Sequence, residues 1–374
     1  MEFRDLKAQY QKLKNEIDEA VLGVMERAQF ISGPEVKQLE GELAEYVGVK
    51  HCITCANGTD AMELVLLAWG ICEGDAVFVP TFSFMSTAEV VAYLGAQPVY
   101  VDIDEDTYNI DPAKLYQTIE QTIKGGKFKP KAIIPVDLFG LPSDYERIIP
   151  IAEKYGLKVL EDGAQGFGGS INGKKACSFG DAATTSFFPA KPLGCYGDGG
   201  AIFTNDDELA SLIRSFAVHG KGQGKYDNVR IGRNSRLDTI QAAVLLVKLK
   251  AFREYELDAV NKVAAKYTAQ LKSLVETPIV PESYYSSWAQ YTIRLGNEEK
   301  RDNLQAKLKE AGIPSMVYYP RPLHLQTAFS YCGHKEGDFP VAENASKCAL
   351  SLPMFTNYAD ITINRICSEV KKNL

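Results

Sequence analysis

Short apolar segments alternate with helical patterns through most of residues 1–240, and this alternation restricts the fold more than any other feature of the chain. Each apolar segment is followed by a stretch in which apolar residues recur every three or four positions, as on one face of a helix. A repeated strand–helix order predicts an α/β fold, with a mainly parallel mixed sheet covered by helices on both faces. The predicted strands are 51–55, 76–80, 98–101, 132–136, 158–160, 182–188 and 200–203, and the predicted helices are 59–69, 86–94, 145–155 and 206–216.

The last third of the chain has a different pattern. It predicts a long helix from Leu237 to about residue 271, a strand at 288–295, a helix at 300–311, a strand at 315–319 and a terminal helix from Asp360. A chain of 374 residues is too long for one small core. We therefore expect a large domain at 1–245, which includes the N-terminal segment, and a smaller C-terminal α+β domain at 246–374.

Composition and charge argue against several classes of partner. The net charge is −7 and no block of basic residues is present, so we expect no binding to nucleic acid. No apolar run approaches the ~18 residues that a membrane-spanning helix needs, and the charged N-terminus is unlike a signal peptide. We expect a cytoplasmic protein that does not contact a membrane.

The eight cysteines are scattered along the chain. Cys52 and Cys55 have the spacing of a metal or redox pair, but they alternate with Ile53 and Thr54 in a strand pattern. No second pair stands at zinc spacing. We expect reduced thiols in the core and no metal site.

Unusual residues follow three of the predicted strands. In open α/β sheets, ligands bind beyond the carboxyl ends of the strands. Asn57-Gly58-Thr59 follows strand 51–55 and opens a helix, where free N–H groups suit a phosphate. An ordinary turn with a threonine cap would have the same sequence. Asp162 follows strand 158–160, and Gln165 comes three residues later; a helix or turn cap is the alternative for Asp162.

Lys191 lies in a turn after strand 182–188, close to Pro189 and Pro192. A residue before proline is biased away from helix, so the side chain should project from an extended turn. Desolvation there would lower the pKa of the amine and favour a Schiff base. The alternative is a loop lysine whose head reaches water. A phosphate cradle, a carboxylate and a lysine together match the needs of pyridoxal 5′-phosphate.

Five motifs resemble, in order, those of the DegT family of nucleotide-sugar aminotransferases, which have the type I fold of pyridoxal-phosphate-dependent transferases. The similarity extends from Phe3-Arg4-Asp5-Leu6 to Ser351-Leu352-Pro353-Met354. The five motifs are Ala56-Asn57-Gly58-Thr59-Asp60-Ala61, Glu161-Asp162-Gly163-Ala164-Gln165, Ser186-Phe187-Phe188-Pro189-Ala190-Lys191, Tyr196-Gly197-Asp198-Gly199-Gly200 and Asn234-Ser235-Arg236-Leu237-Asp238.

The resemblance implies roles for residues that bind the cofactor. Gly58, Thr59 and Ser186 would hold its phosphate, and Phe84 would stack on its pyridine ring. Asp162 would pair with the ring nitrogen.

The same resemblance implies that Gln165 contacts the phenolic oxygen and that Lys191 carries the cofactor and moves the proton in catalysis. Asn234 matches a residue that family members lend to the phosphate in the neighbouring subunit, so the active unit should be a homodimer.

The implied reaction is transamination of a nucleotide-linked keto sugar, with glutamate as the expected donor. The sequence around Lys191 most resembles enzymes that aminate position 3 of UDP-2-acetamido-2-deoxy-3-oxo-D-glucuronate in surface-polysaccharide synthesis, such as that of lipopolysaccharide. A 4-aminotransferase acting on a 4-keto-6-deoxy sugar is the alternative within the class. A non-catalytic regulatory homologue is the alternative outside it, although a binding module would not need Lys191. Dehydratase relatives carry histidine at this position.

Substrate contacts are expected from three residues. Arg236 is two positions from Asn234 and is suited to grip a carboxylate in bidentate fashion. Tyr319 and His324 come from the C-terminal part of the chain. Tyrosines in such apolar runs are more often core residues, and Arg321 is more simply a solvated arginine.

Overall fold

The computed structural model describes residues 1–224, 226–356 and 358–374. Its centre is a seven-stranded sheet in the order β1-β9-β8-β5-β4-β2-β3. Strand β9 runs antiparallel to both neighbours, and all other pairs are parallel. The strands within the described residues are β1 (His51–Cys55), β2 (Asp75–Pro80), β3 (Gln97–Val101), β4 (Lys129–Ile133), β5 (Lys158–Asp162), β6 (Ser170–Ile171), β7 (Lys174–Lys175), β8 (Ala182–Ser186), β9 (Gly200–Thr204), β10 (Tyr284–Tyr285), β11 (Tyr291–Arg294) and β12 (Ala349–Leu352).

Helices cover both faces of this sheet, as the alternating pattern predicts. Val77 and Val79 of β2 pack with α3, α4 and α7, whereas Phe78 between them packs with α5 and α6. The helices are α1 (Leu6–Arg27), α2 (Pro34–Val47), α3 (Gly58–Ala68), α4 (Ser86–Tyr93), α5 (Pro112–Gly125), α6 (Tyr145–Tyr155), α7 (Asp207–Phe216), α8 (Thr239–Ala251), α9 (Leu257–Leu271), α10 (Glu298–Glu310), α11 (Pro340–Cys348) and α12 (Asp360–Lys372). None of the helices in the described ranges is both long and apolar enough to cross a bilayer.

Helix α5 illustrates why the chain folds this way locally. Asp111 accepts hydrogen bonds from the first-turn amides of Ala113 and Lys114, and Pro112 at the first helical position has no amide to satisfy. The helix ends at Gly126, whose φ of 65° is the left-handed conformation that glycine adopts without strain. The sequence pattern alone did not predict α5.

The predicted long helix is confirmed as α8 and α9, joined by a π-helical turn at Phe252–Glu256. The turn shifts the helical register and leaves Glu256 buried at 3% exposure, where Gln9 of α1 donates to its carboxylate. The expected domain boundary at 245/246 falls inside α8. It stays a prediction.

The strand predicted at 315–319 is absent. Met316 forms a single bridge with Ser351, and the chain then leaves β12. Pro314 and Pro320 flank the segment and lack the N–H groups that a ladder needs. The aromatic ring of Tyr319 packs against Phe82 instead of extending a sheet. Two smaller sheets accompany the central one in the described residues: the antiparallel pair β11–β12 and a three-stranded sheet in the order β10-β6-β7.

Candidate active site

A cavity of about 870 Å³ opens beyond the carboxyl ends of β1, β5 and β8. This is the edge at which parallel sheets bind ligands. Most of the residues predicted to form a site converge here. The lining residues are Asn57, Gly58, Thr59, Asp60, Met62, Ser83, Phe84, Ser86, Val136, Asp162, Ala164, Gln165, Ser186, Phe188, Ala190, Lys191, Asp198, Ala289, Gln290, Tyr318 and Tyr319.

The first turn of α3 forms one wall of the cavity. Asn57 caps the helix by accepting a 2.8 Å hydrogen bond from the amide of Asp60. A Cβ on Gly58 would lie 2.8 Å from Cβ of Ser186, and a Cβ on Gly200 would lie 2.5 Å from the carbonyl of Asn57. The backbones of β1, β8 and β9 can approach this closely only because both positions are glycine.

Hydroxyl groups complete this wall. The side chain of Thr59 is hydrogen-bonded to Ser86 at 2.7 Å. The hydroxyl of Ser186 accepts a 3.3 Å hydrogen bond from the amide of Phe188 and has its own proton to donate. First-turn amides, the helix dipole and hydroxyl donors together make an anion site of the kind that binds phosphate.

Asp162 ends β5 on the floor of the cavity. Thr87 Oγ1 donates to its Oδ2 at 3.2 Å, and the amide of Ala164 donates to its Oδ1 at 3.2 Å. Ser83 bonds to Thr87 at 2.9 Å and fixes the hydroxyl. Burial raises the pKa of Asp162, while these donors and the charge of Lys191 oppose the shift.

Lys191 lies in the turn after β8, which ends at Ser186 and not at the predicted 188. The turn is held by a 2.8 Å bond from the amide of Lys191 to the carbonyl of Phe188. Burial lowers the pKa of the amine, Asp162 opposes this shift, and the charge of Arg4 adds to it. The cavity therefore holds an amine that loses its proton more readily than a surface lysine.

Gln165 is fixed by three hydrogen bonds. Its Oε1 accepts from the amide of Phe139 at 2.9 Å, its backbone carbonyl accepts from Ser287, and its Nε2 donates to the hydroxyl of Tyr319 at 3.2 Å. Burial raises the pKa of Tyr319, so the phenol stays protonated. One hydrogen of the Gln165 amide remains for a ligand.

Phe84 presents its ring to the cavity. It is 56% exposed, and its centroid lies 6.4 Å from that of Tyr319. A large apolar side chain held open at a concave site is typical of ligand binding.

Asn234 and Arg236 do not line this cavity. Arg236, which is half-buried, donates to the side chain of Asn234, which is exposed. Ser235 between them is fully buried and accepts a 3.1 Å bond from the amide of Ala56, beside the α3 wall. Ser235 thus anchors this segment close to the cavity, while Asn234 and Arg236 on either side of it lie outside the cavity.

His324 is not brought to the cavity either. Its ring is 1% exposed, with Nδ1 2.7 Å from the hydroxyl of Thr81 and Nε2 3.1 Å from the carboxylate of Glu343. Burial lowers its pKa, and Glu343 opposes the shift. Both ring nitrogens are occupied, so the ring joins the end of β2 to α11 and has no free position for substrate.

Several residues that line the cavity were not predicted as site residues. They are Ser83, Ser86, Phe188, Asp198, Gln290 and Tyr318. Phe188 and Asp198 belong to motifs quoted above, so their positions carried a usable signal. Gln290 and Tyr318 come from the C-terminal part of the chain, and no local pattern relates them to the strand ends.

Comparison with known proteins identifies the family to which most of the chain is similar. The model of the DegT/DnrJ/EryC1/StrS aminotransferase family matches residues 11–371. UDP-2-acetamido-2-deoxy-3-oxo-D-glucuronate aminotransferase from Pseudomonas aeruginosa is 49% identical over 98% of this chain and 99% of its own length. A pleiotropic regulatory protein from Geobacillus stearothermophilus is also 49% identical, over 94% of this chain and 92% of its own.

Solved structures share the whole fold. A DegT DnrJ EryC1 StrS aminotransferase from Brucella abortus is 50% identical and superposes with a TM-score of 0.96, covering 100% of this chain and 99% of its own. The Bacillus subtilis protein ntda, solved with bound cofactor PMP, is 32% identical with a TM-score of 0.87, covering 97% of this chain and 82% of its own.

Proposed function

This chain belongs to the DegT/DnrJ/EryC1/StrS aminotransferase family, and we propose that it aminates position 3 of UDP-2-acetamido-2-deoxy-3-oxo-D-glucuronate. It is a sugar aminotransferase that depends on pyridoxal 5′-phosphate. One observation carries the proposal most directly: the Lys191 amine and the Asp162 carboxylate face one cavity beside an anion-binding helix N-terminus.

The residues of this cavity fit the cofactor. Gly58, Thr59 and Ser186 would hold the phosphate, because the close approach of Gly58 to Ser186 leaves backbone and hydroxyl donors facing one space. Asp162 would accept a hydrogen bond from the protonated ring nitrogen, and Phe84 would cover one ring face. Gln165 would donate its remaining amide hydrogen to the phenolic oxygen. When bound, the cofactor supplies an electron sink for the negative charge that develops at the carbon bearing the amine.

Lys191 would hold the cofactor and act as the base. Burial lowers the pKa of this amine and so favours the neutral form, which can accept a proton. It can accept a proton from the Cα of the donor, for which we propose glutamate, and return a proton during amination of the sugar. The hydrogen bonds that Asp162 accepts from Thr87 and Ala164 favour its charged form, the form that would pair with the ring nitrogen.

The substrate proposal rests on the 49% identical Pseudomonas enzyme and on Arg236. A uronate carries a carboxylate that the planar guanidinium can grip with two parallel bonds. Arg236 and Asn234 lie outside the cavity of their own chain. We propose that they complete the cavity of a second copy, so that the working form is a cytoplasmic homodimer that supplies an amino sugar for surface polysaccharide.

A panel assay tests the substrate. Purified enzyme with glutamate is offered UDP- and dTDP-linked keto sugars, and release of 2-oxoglutarate is measured. We expect preference for the UDP-3-keto-uronate, and Arg236→Lys should raise KM for it but not for the analogue with a C6 hydroxymethyl group. Preference for a 4-keto-6-deoxy sugar would replace the proposal with a 4-aminotransferase.

The regulatory relative favours a second candidate, a protein that binds without catalysis. Lys191, Asp162 and Gln165 argue against it, since binding alone does not need an amine of lowered pKa. Absence of turnover with every sugar, together with normal cofactor binding, would favour this candidate.

A further inference from the structure

Arg4 contacts the turn that carries Lys191. It lies just before α1, whose N-terminus is capped by Asp5, and its guanidinium donates a hydrogen bond to the carbonyl of Ala190. Ala190 directly precedes Lys191, so the carbonyl of Ala190 and the backbone amide of Lys191 belong to one planar peptide bond. Within the described part of the chain, this guanidinium is the hydrogen-bond partner of that carbonyl.

The segment that carries Arg4 is held from its other side. The hydroxyl of Tyr358 donates to the carbonyl of Glu2 at 2.8 Å, and the amide of Met354 donates to the carbonyl of Phe3 at 3.2 Å. The ring of Phe3 lies edge-on to Tyr318, 6.3 Å between centroids. Because Tyr318 lines the cavity, residues 2–4 link the Lys191 turn to the C-terminal wall of the site.

The guanidinium also keeps its charge there. Burial lowers its pKa to about 10, with Glu256 as the main opposing charge, so Arg4 is a cation at neutral pH. The charged groups that act on the Lys191 amine are therefore Asp162 from β5 and Arg4 from the N-terminal segment. Asp162 raises the pKa of the amine, and Arg4 lowers it.

We propose that Arg4 is a positioning residue for Lys191: it holds the carbonyl of Ala190 and so fixes the direction from which the amine enters the cavity. The inference rests on the proposed function, because it assigns Arg4 to the same site. Without this bond the turn would keep its backbone bonds, such as that from the amide of Cys195 to the carbonyl of Phe187, but none at the carbonyl of Ala190. The amine would then sample more positions relative to the donor Cα, which reduces kcat without changing sugar binding.

The holoenzyme carrying Arg4→Gln tests this, with Lys7→Gln as the matched control. Lys7 is an exposed cation three residues further along, so both variants remove one positive charge from the same end of the chain. In Arg4→Gln we expect kcat to fall about tenfold and KM for the sugar to change less than about twofold. The pH midpoint of the bound cofactor's visible absorption should rise by on the order of half a pH unit, because a nearby cation is lost. Lys7→Gln should match the wild type in all three.

Arg4→Lys separates position from charge. It keeps the cation but loses the planar fork, so we expect the wild-type midpoint with an intermediate kcat. This variant also decides the question if Arg4→Gln does not fold. Wild-type kcat in Arg4→Lys, or identical behaviour of Arg4→Gln and Lys7→Gln, would overturn the inference.

These outcomes differ from failure of the proposed function. Visible absorption on mixing the apoprotein with pyridoxal 5′-phosphate needs no sugar. If the wild type develops none, the proposed function fails; if it does and turns over, only the role of Arg4 is in question.

Discussion

The side-chain amide of Gln165 donates a 3.2 Å hydrogen bond to the hydroxyl of Tyr319, a residue 154 positions further along the chain. The bond connects the loop after β5 to the C-terminal wall of the cavity. It also orients the amide, since Oε1 is already held by Phe139. We expect Tyr319→Phe to lower kcat/KM by about tenfold while the free energy of unfolding changes by about 1 kcal/mol or less. Tyr331→Phe, at a 60% exposed tyrosine, is the control for loss of a hydroxyl. Equal kcat/KM in the two variants would contradict the role of this bond.

Lys191→Ala should abolish turnover but still bind free cofactor, because the proposed phosphate site is formed by other residues of the cavity. The wild-type protein should be yellow, and borohydride should fix the cofactor to the peptide that contains Lys191. Lys175→Ala, a lysine of β7 outside the cavity, should behave as the wild type. Wild-type turnover in Lys191→Ala would refute the assignment.

Asp162→Ala should reduce kcat by at least about 100-fold, or about 2.7 kcal/mol of barrier, if the carboxylate stabilises charge on the cofactor ring as we propose. Thr87→Val removes one donor to the same carboxylate and should have a smaller effect in the same direction. Circular dichroism and thermal unfolding check that both variants are folded. A near-normal kcat in Asp162→Ala would reduce the carboxylate to a local structural role.

Mixing two inactive variants tests the shared site. Lys191→Ala and Asn234→Ala should each be inactive, and their heterodimer should regain one competent cavity built from the intact halves. Activity should therefore return as subunits exchange, which labelled subunits can follow. If Asn234→Ala alone is inactive, exchange without recovery would mean that Asn234 does not act on the cavity of the partner subunit.

Asp137 and Glu161 are buried beside Asp162. Amides of Cys177 and Phe179 donate to the two oxygens of Glu161, while Ser143 and Tyr145 donate to Oδ1 of Asp137. Oδ2 of Asp137 has no hydrogen-bond partner in the described structure, and we predict that Asp137 carries a proton at acidic pH.

Burial raises the pKa of Asp137 to about 7. The pKa of Asp137 is thus higher in the folded protein than the value near 4 that it has in the unfolded chain. Proton binding to Asp137 therefore stabilises the fold fully below about pH 4, and this stabilisation is lost as the pH rises through about 7. Asp137→Asn, which always donates, should remove this slope, on the order of 2–4 kcal/mol between pH 4 and 8. Glu161→Gln should destabilise at every pH, because its amide would face a backbone N–H. Denaturant unfolding across this pH range measures both, and an unchanged slope in Asp137→Asn would contradict the protonation of Asp137.

Local sequence patterns predict the strand ends and the residues that follow them, which is why Gly58, Asp162 and Lys191 could be selected. They do not predict contacts between distant segments, such as Gln165 with Tyr319 or Arg4 with Ala190. His324 shows that a local pattern can also suggest a site residue that is in fact a buried structural one. A polar residue in an irregular segment is equally compatible with a ligand role and with a buried link between Thr81 and Glu343.

The sequence pattern did not predict helices α1 and α2, and α1 shows a related reason. Only Gln9, Leu13, Ile17 and Val24 of α1 are buried, a narrow stripe on an otherwise polar helix. Leu13 and Ile17 pack against α8, a partner far along the chain. Burial against a distant element stabilises such a helix more than its own composition does.

The close approach of Gly58 to Ser186 and of Gly200 to Asn57 makes the proposed phosphate site a product of β1, β8 and β9, and β1 is remote in sequence from the other two strands. Unfolded chain has nothing equivalent, so the cofactor binds the native state alone and shifts the folding equilibrium in proportion to its free concentration. At 100 times its dissociation constant this amounts to about 2.7 kcal/mol. Vitamin B6 supply would thus govern how long each enzyme molecule survives proteolysis, as well as how many are active.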